Sequence, residues 1–303
     1  MHGLRLWAPL VASCLVATSC SMAKFGYDML PTWAHWQIER YLSLDEDQRA
    51  IVSRRIDELH RWHRRVQLPK YVAFLSEVED QVRAADPARA APAGGVDAAL
   101  IARWRDRIGE AWIPVAEHLA PGLAELALTL RPEQIERLRR RLADGDDEYR
   151  EKFLAETPKA RAEARADRVV KRAETFLGRL DSAQVRELRT LAAAMPGHED
   201  DWLAERHRRQ KALVALLQKI SIEQPGQREA TRLARDYLTS MWTSTDERRR
   251  ARLNAAIGDS DALSAQTLGK ATPAQRTHLV KLVRGYADDF RALTGATLAT
   301  AAR

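Results

Sequence analysis

Few side chains in this sequence are spaced for acid–base or metal chemistry. His60 and His63 stand three apart in HRWHRR, a spacing that could put two ligands on one helix face, and His198 heads HEDD. A zinc-type site needs a third and fourth ligand and hydrogen bonds that orient them. Neither an HExxH run nor a cysteine pair supplies these. The carboxylate pairs Glu77/Glu79 and Asp200/Asp201 have no visible partner, and no nucleophile elbow, phosphate loop or dinucleotide fingerprint occurs. The residues therefore point to no catalytic centre, no metal and no cofactor. What stands out instead is a pair of thiols near the amino terminus, Cys14 and Cys20, and a glutamine recurring in one slot: Gln48, Gln134, Gln184 and Gln275.

Those glutamines sit at four versions of one helix start: SLDEDQRAIV (43–52), TLRPEQIERL (129–138), RLDSAQVREL (179–188) and KATPAQRTHL (270–279). Asp45, Asp181 or Thr272 stands three places before, where a side-chain oxygen accepts a free backbone N–H. The glutamine reaches back to the cap's own N–H, which makes a reciprocal capping box. Arg131 fills the cap slot of the second copy and has no acceptor. Pro132 and Pro273 occupy the first helical position, where a missing N–H costs nothing. Leu44, Leu130, Leu180 or Ala271 precedes each cap, and Val52, Leu138, Leu188 or Leu279 follows each glutamine by four, giving one apolar face. The offsets 184 − 48 = 136 and 275 − 134 = 141 nearly agree, which suggests duplication of a two-motif helical unit.

The wider composition fits helices. Of 303 residues, 45% are apolar and 30% charged, and Ala, Leu, Arg and Glu, all strong helix formers, dominate. The reading is an all-α multi-helix bundle, with a first half over 45–145 and a second over 146–303. One helix is expected from Asp45 to Gln67, with a restart at Pro69 and a loop over 84–98. Another is expected over 97–118, broken near Pro121. LADGDDE (142–148) reads as a break and as the midpoint. The helix over 158–179 would bury Val169, Ala173, Phe176 and Leu180. Further helices are expected at 182–194, 199–222, 227–242, 245–257 and 273–294.

The amino terminus reads as a targeting segment over 1–19. Arg5 precedes an apolar run from Leu6 to Ala17, then small residues lead to Cys20. That order is that of an export signal, and the run is too short to span a bilayer, which takes about 20 residues. Its end resembles a bacterial lipoprotein cleavage box. The resemblance implies that Cys20, favoured over Cys14, becomes the first mature residue, with its thiol and freed amino group carrying acyl chains such as palmitate. The box departs from the usual pattern in having Ala17 where leucine is common. Ser21 in place of an aspartate implies the outer membrane; a plain secretion signal into the periplasm without an anchor is the alternative. Residues 20–44 then form an anchored segment. Its Trp33, Trp36 and Tyr41 read as packing on the bundle, with the headgroup boundary of a membrane as the other reading.

Cys20-Ser21, YDMLPTWAHWQIERYLSLDEDQ (27–48) and LPKYVAFL (68–75) together resemble an uncharacterised family of bacterial lipoproteins, over almost the whole chain. The capped glutamine resembles, more weakly, the LTxxQ motif of small periplasmic helical stress proteins, some of them ATP-independent chaperones. Net charge is +7, with basic clusters at 61–65, 137–141, 206–209 and 248–252. Basic surfaces favour anionic partners. Export would direct these clusters to anionic lipid or envelope proteins rather than to nucleic acid. The expected function is a lipid-anchored, periplasm-facing binding or scaffolding protein without catalytic activity. A chaperone-like holdase and an envelope hydrolase are the alternatives.

Overall fold

The computed structural model describes residues 18–85, 95–154, 157–241 and 247–301, with backbone alone for 18–22 and 296–301. The signal segment expected over 1–19 thus lies almost wholly outside the described residues. The described chain is helical throughout, with no strand. Its elements are α1 (Thr18–Leu42), α2 (Glu46–Trp62), a π-helical turn (His63–Gln67), α3 (Leu68–Ala84), α4 (Ala98–Glu110) and α5 (Trp112–Thr129). They continue with α6 (Pro132–Phe153), α7 (Pro158–Leu177), α8 (Ser182–Ala194), α9 (Glu199–Glu223), α10 (Gln227–Ser240), α11 (Glu247–Gly269) and α12 (Pro273–Ala301). Asp45, Asp97, Thr157 and Asp181 open helices in extended conformation, each accepting a first-turn N–H. Such a cap contributes about 1 kcal/mol.

Three proline and glycine signals act differently from the sequence expectation. First, the helix does not restart at Pro69: α2, the π turn and α3 form one unbroken rod. Within an α-helix, the ring of Pro69 would strike the carbonyl four residues back. The π turn widens the ladder there, with Leu68 N–H donating to the carbonyl of His63, five residues earlier. A local π turn is a recognised way to absorb such an irregularity. Second, the break expected near Pro121 falls at Ala111 instead, and Pro121 lies inside α5. Third, residues 142–148 are helical and continue α6, so the expected midpoint lies within a helix. Gly145 serves close approach rather than a turn: a Cβ there would lie 2.8 Å from Arg206 Nη2, whose guanidinium Nε donates to Asp146 at 2.6 Å.

Two apolar cores result. The first joins Leu44, Val52 of α2, Ile135 and Leu138 of α6, Leu217 and Ile220 of α9, and the tightly packed faces of α5 and α10. Ala116, Ala120, Ala124 and Ala127 meet Ala230 and Ala234 there, all fully buried. The second core joins Val78 and Val82 of α3, Val170, Ala173 and Leu177 of α7, Leu188 of α8, and Leu279, Val280 and Val283 of α12. The rod of residues 46–84 serves both, with α2 packed on α5 and α3 on α12. Both cores therefore draw elements from either side of residue 145. On α7 the buried stripe is Ala166, Val170, Ala173 and Leu177, while Phe176 is 45% exposed. Of the expected stripe, Ala173 and Leu180 are buried and Val169 is half-buried against the core, and only Phe176 is exposed.

The four glutamines meet in two reciprocal pairs. Gln48 Nε2 donates to Gln134 Oε1 at 3.1 Å, and Gln134 Nε2 donates back to Gln48 Oε1 at 2.7 Å. Each Oε1 also accepts its own cap N–H, from Asp45 at 3.1 Å and Arg131 at 3.0 Å. Each Nε2 also donates to a carbonyl beside the other motif, Thr129 at 2.9 Å and Ser43 at 3.1 Å. Every donor and lone pair of both amides is used. Gln184 and Gln275 repeat the exchange at 2.9 and 2.8 Å and accept from the Asp181 and Thr272 N–H groups, and Gln275 Nε2 also donates to the Arg179 carbonyl at 3.0 Å. Arg131, which cannot cap, donates instead to Asp45 Oδ2 of the opposite motif at 2.6 Å. The Gln48 backbone N–H, and then Arg131, hold the Asp45 carboxyl below its ordinary range.

Replacing Gln48 by glutamate keeps the shape and the acceptors but removes both donors. Gln48→Glu should cost about 1–3 kcal/mol at pH 8, the usual penalty for buried groups left unpaired. Burial against carbonyls raises the folded-state pKa of the new carboxyl, so its protonated form, which can donate, returns part of that loss as pH falls to 5. Urea unfolding at the two pH values measures this; equal losses at both would remove the donor requirement.

Candidate functional site

The residue singled out for lipidation, Cys20, lies in α1, with its side chain outside the described residues. The described side chains of α1 fall mainly on two faces, with Leu30, 46% exposed, lying between them. Tyr27, Ile38, Tyr41 and Leu42 face the protein. Phe25, Met29, Trp33 and Trp36 are 43–63% exposed, and at 100° per residue they share an arc of about 80° on the other side. Arg40 lies over the Trp36 ring at 5.6 Å. The expectation that Trp33 and Trp36 pack on the bundle is overturned: α2, α6 and α12 pack on α1 and leave these two rings more than half exposed. No helix among the described residues is long and apolar enough to cross a membrane.

His60 and His63 do share a helix face, and Tyr27 fills the space between them. Its ring lies 4.7 Å from His60 and 5.8 Å from His63, and its hydroxyl oxygen lies 3.0 Å from His63 Nδ1. Burial, reinforced by His60, pushes His63 down to about 4. Burial raises Tyr27 to about 12, partly opposed by Arg64. These are groups kept neutral in a packed aromatic cluster beside the π turn.

Arginines gather at a concave feature elsewhere. A cleft of about 790 Å³ opens between α6, α7, α9 and α11. Its walls carry Arg165, Arg168, Arg172, Arg206 and Arg209, interleaved with Tyr149, Phe153, Trp202 and Tyr237. Sequence reasoning places Arg206 and Arg209 in one basic cluster and gives the α7 arginines no role. Their i, i+3, i+7 spacing at 165, 168 and 172 is the available signal for a basic row on one helix face.

The carboxylates of the cleft are already committed. Glu199 meets Arg165 at 2.9 Å and Arg168 at 3.5 Å. Glu205 takes Arg208 and Arg209, each at 2.7 Å; burial pushes its carboxyl up, but these two arginines outweigh that and hold it below its ordinary range. Just behind the wall, Asp146 accepts from Arg206 at 2.6 Å and Gln210 at 2.9 Å, with His207 Nε2 at 3.0 Å. The ring nitrogens of His198 face Asp259 at 3.1 Å and Asp201 at 3.8 Å. Arg161 binds the other member of the expected pair, Asp200, at 3.0 Å. Arg168 also lies over Phe153 at 5.0 Å. Arg172 has no hydrogen-bond or ion-pair partner among the described residues. Such an arrangement sets guanidinium donors next to flat apolar surface.

Fold and cleft together define an all-helical bundle carrying a basic, aromatic-walled recess. The chain belongs to a family of unknown function, DUF6279, whose sequence model matches residues 40–249. No curated protein and no solved structure matches it.

The histidine cluster fixes a pH dependence. An unfolded chain takes up a proton at His63 near pH 6.5, whereas the folded chain does so only near 4. The folded state is therefore progressively disfavoured as pH falls from 6.5 to 4. His60, also lowered by burial, acts with the same sign. The urea midpoint should fall between pH 7.5 and 5, and His63→Gln should lessen that fall; an unchanged slope would show that the proton goes elsewhere.

Proposed function

We propose that this protein is a non-catalytic, lipid-anchored binding protein of the bacterial envelope. In this reading it sits on the periplasmic face of the outer membrane, with acyl chains on Cys20 and the arginine-lined cleft as its recognition surface. The observation that carries the reading is the exposed row Phe25, Met29, Trp33 and Trp36, which begins five residues after Cys20. Aromatic side chains of this kind prefer the membrane–water boundary. An amphipathic helix buries its apolar face at the headgroup level, and two acyl chains give a stable anchor where one gives only marginal binding. Acyl chains on Cys20 would hold α1 at that depth, with Arg40 at its end among anionic headgroups. The export-type order of residues 1–19 and the cysteine box support the same placement. The commitment of Glu199 and Glu205 to arginine pairs favours charge recognition over proton transfer in the cleft.

The test has two arms. In cells fed a labelled palmitate analogue, the chain should carry label and Cys20→Ala should abolish it; label that survives the change would refute the anchor. Trp33→Ala with Trp36→Ala, made in the Cys20→Ala chain, should lower its partitioning onto vesicles containing phosphatidylglycerol several-fold while leaving its helical content intact. Unchanged partitioning would remove α1 from the membrane contact.

A further inference from the structure

Beside the basic cleft lies a second cavity of about 360 Å³, walled by apolar side chains of α3, α4, α7, α11 and α12. The two are contiguous: Val169, Arg172, Ser260 and Leu263 line both. Each volume lies within the range of about 300–1,000 Å³ typical of small-molecule sites. Helix α7 runs along the shared edge with two adjacent rows. Arg165, Arg168 and Arg172 face the cleft, and Val169, Ala173 and Phe176 face the apolar cavity. The indole N–H of Trp104, on the far wall, is used by Gln81 at 2.6 Å, so the ring presents only apolar surface to the cavity. At the rim Phe176 and Tyr286 remain 45% and 39% exposed.

From this juxtaposition we infer that the two cavities form one site for an anionic amphiphile, with an acidic headgroup against Arg168 and Arg172 and a hydrocarbon chain in the cavity behind Val169 and Leu263. Arg172 has no partner among the described residues, and Arg168 reaches Glu199 only at 3.5 Å, so both have donors to give. A small anion would satisfy these arginines and leave the apolar walls uncovered. A neutral hydrocarbon would cover the walls and leave Arg172 facing it unpaired. An acidic head on a hydrocarbon tail answers both, since guanidinium forks bind carboxylate and phosphate oxygens alike. The inference rests on the cleft being a recognition surface and is independent of the acyl anchor, which Cys20→Ala removes without touching α7.

Detergent-free Cys20→Ala chain is titrated with four probes below their micelle concentrations: oleate, lysophosphatidylglycerol, lysophosphatidylcholine and inorganic phosphate. Binding is followed by tryptophan fluorescence and calorimetry. One or both anionic amphiphiles should saturate the site at one per chain, at least tenfold tighter than the zwitterionic lipid, with phosphate not binding in the same range. The preference between oleate and the phosphodiester reports whether the head is a carboxylate or a phosphate ester. Arg172→Gln, at an unpaired position, should abolish the tenfold preference and leave zwitterionic binding unchanged. Ser264→Phe, which fills the cavity, should weaken both lipids, with thermal unfolding confirming that each variant is folded. Equal affinity for anionic and zwitterionic lipid, tight binding of phosphate alone, or no saturable binding would each overturn the proposal. None of those results would alter labelling at Cys20.

Discussion

A carboxamide carries two donors and a two-lone-pair acceptor at one side-chain end, and this protein uses that property to lock its helices together. Each glutamine accepts the N–H of its own cap residue through Oε1 and reaches the facing motif through Nε2. A capping box alone would accept glutamate equally well. Only the meeting of two motifs requires an amide, because two carboxylates at that distance would repel and leave carbonyls unpaired. Leu44, Leu130, Leu180 and Ala271 before the caps and the apolar residues four places after the glutamines are buried around the junctions. One small polar contact thereby sets where α2 meets α6, and where α8 meets α12.

From those two junctions the remaining architecture follows. Each holds one core together, and the rod of α2, the π turn and α3 connects them. The rod stays continuous through Pro69 because the π turn relieves the clash, so α3 is delivered to α12 rather than folding back on α2. Between the cores, α6, α7 and α9 keep their charged faces toward one another. Three acidic side chains, Asp146, Glu199 and Glu205, then collect arginines around the cleft. Pairing them is obligatory, since a buried carboxylate without a partner is strongly destabilising. Arg172, left over at the end of the α7 row, adds an uncommitted charge to the recess.

Much of this architecture is legible in the amino-acid order. Residue types and period give the all-α class, and most helix starts lie within a residue or two of their capping residues. The constancy of glutamine over glutamate in four copies is a visible sign that a donor matters. The structure pairs Gln48 with Gln134 and Gln184 with Gln275, one pair in each of the two units that the offsets suggest. The cleft is not legible. Arg165, Arg168 and Arg172 alternate with acidic and small residues in ARAEARADRVVKR and look like a solvated face. The glycine in LADGDDE looks like a turn, when it is there to let Arg206 reach Asp146. The tryptophans of α1 look like core, because aromatic residues usually are.

By itself the sequence determined what is local: helical propensity, the caps and the apolar period of each helix. These depend on side-chain chemistry within a few residues of one another. Only the tertiary structure decided which motif meets which, which arginine is left without a carboxylate, and which apolar row faces a cavity instead of a core. Those outcomes depend on distances between residues about 90 positions apart in the chain, as at the glutamine pairs. No periodicity encodes them: a helix face is the same string of letters whether another helix covers it or not.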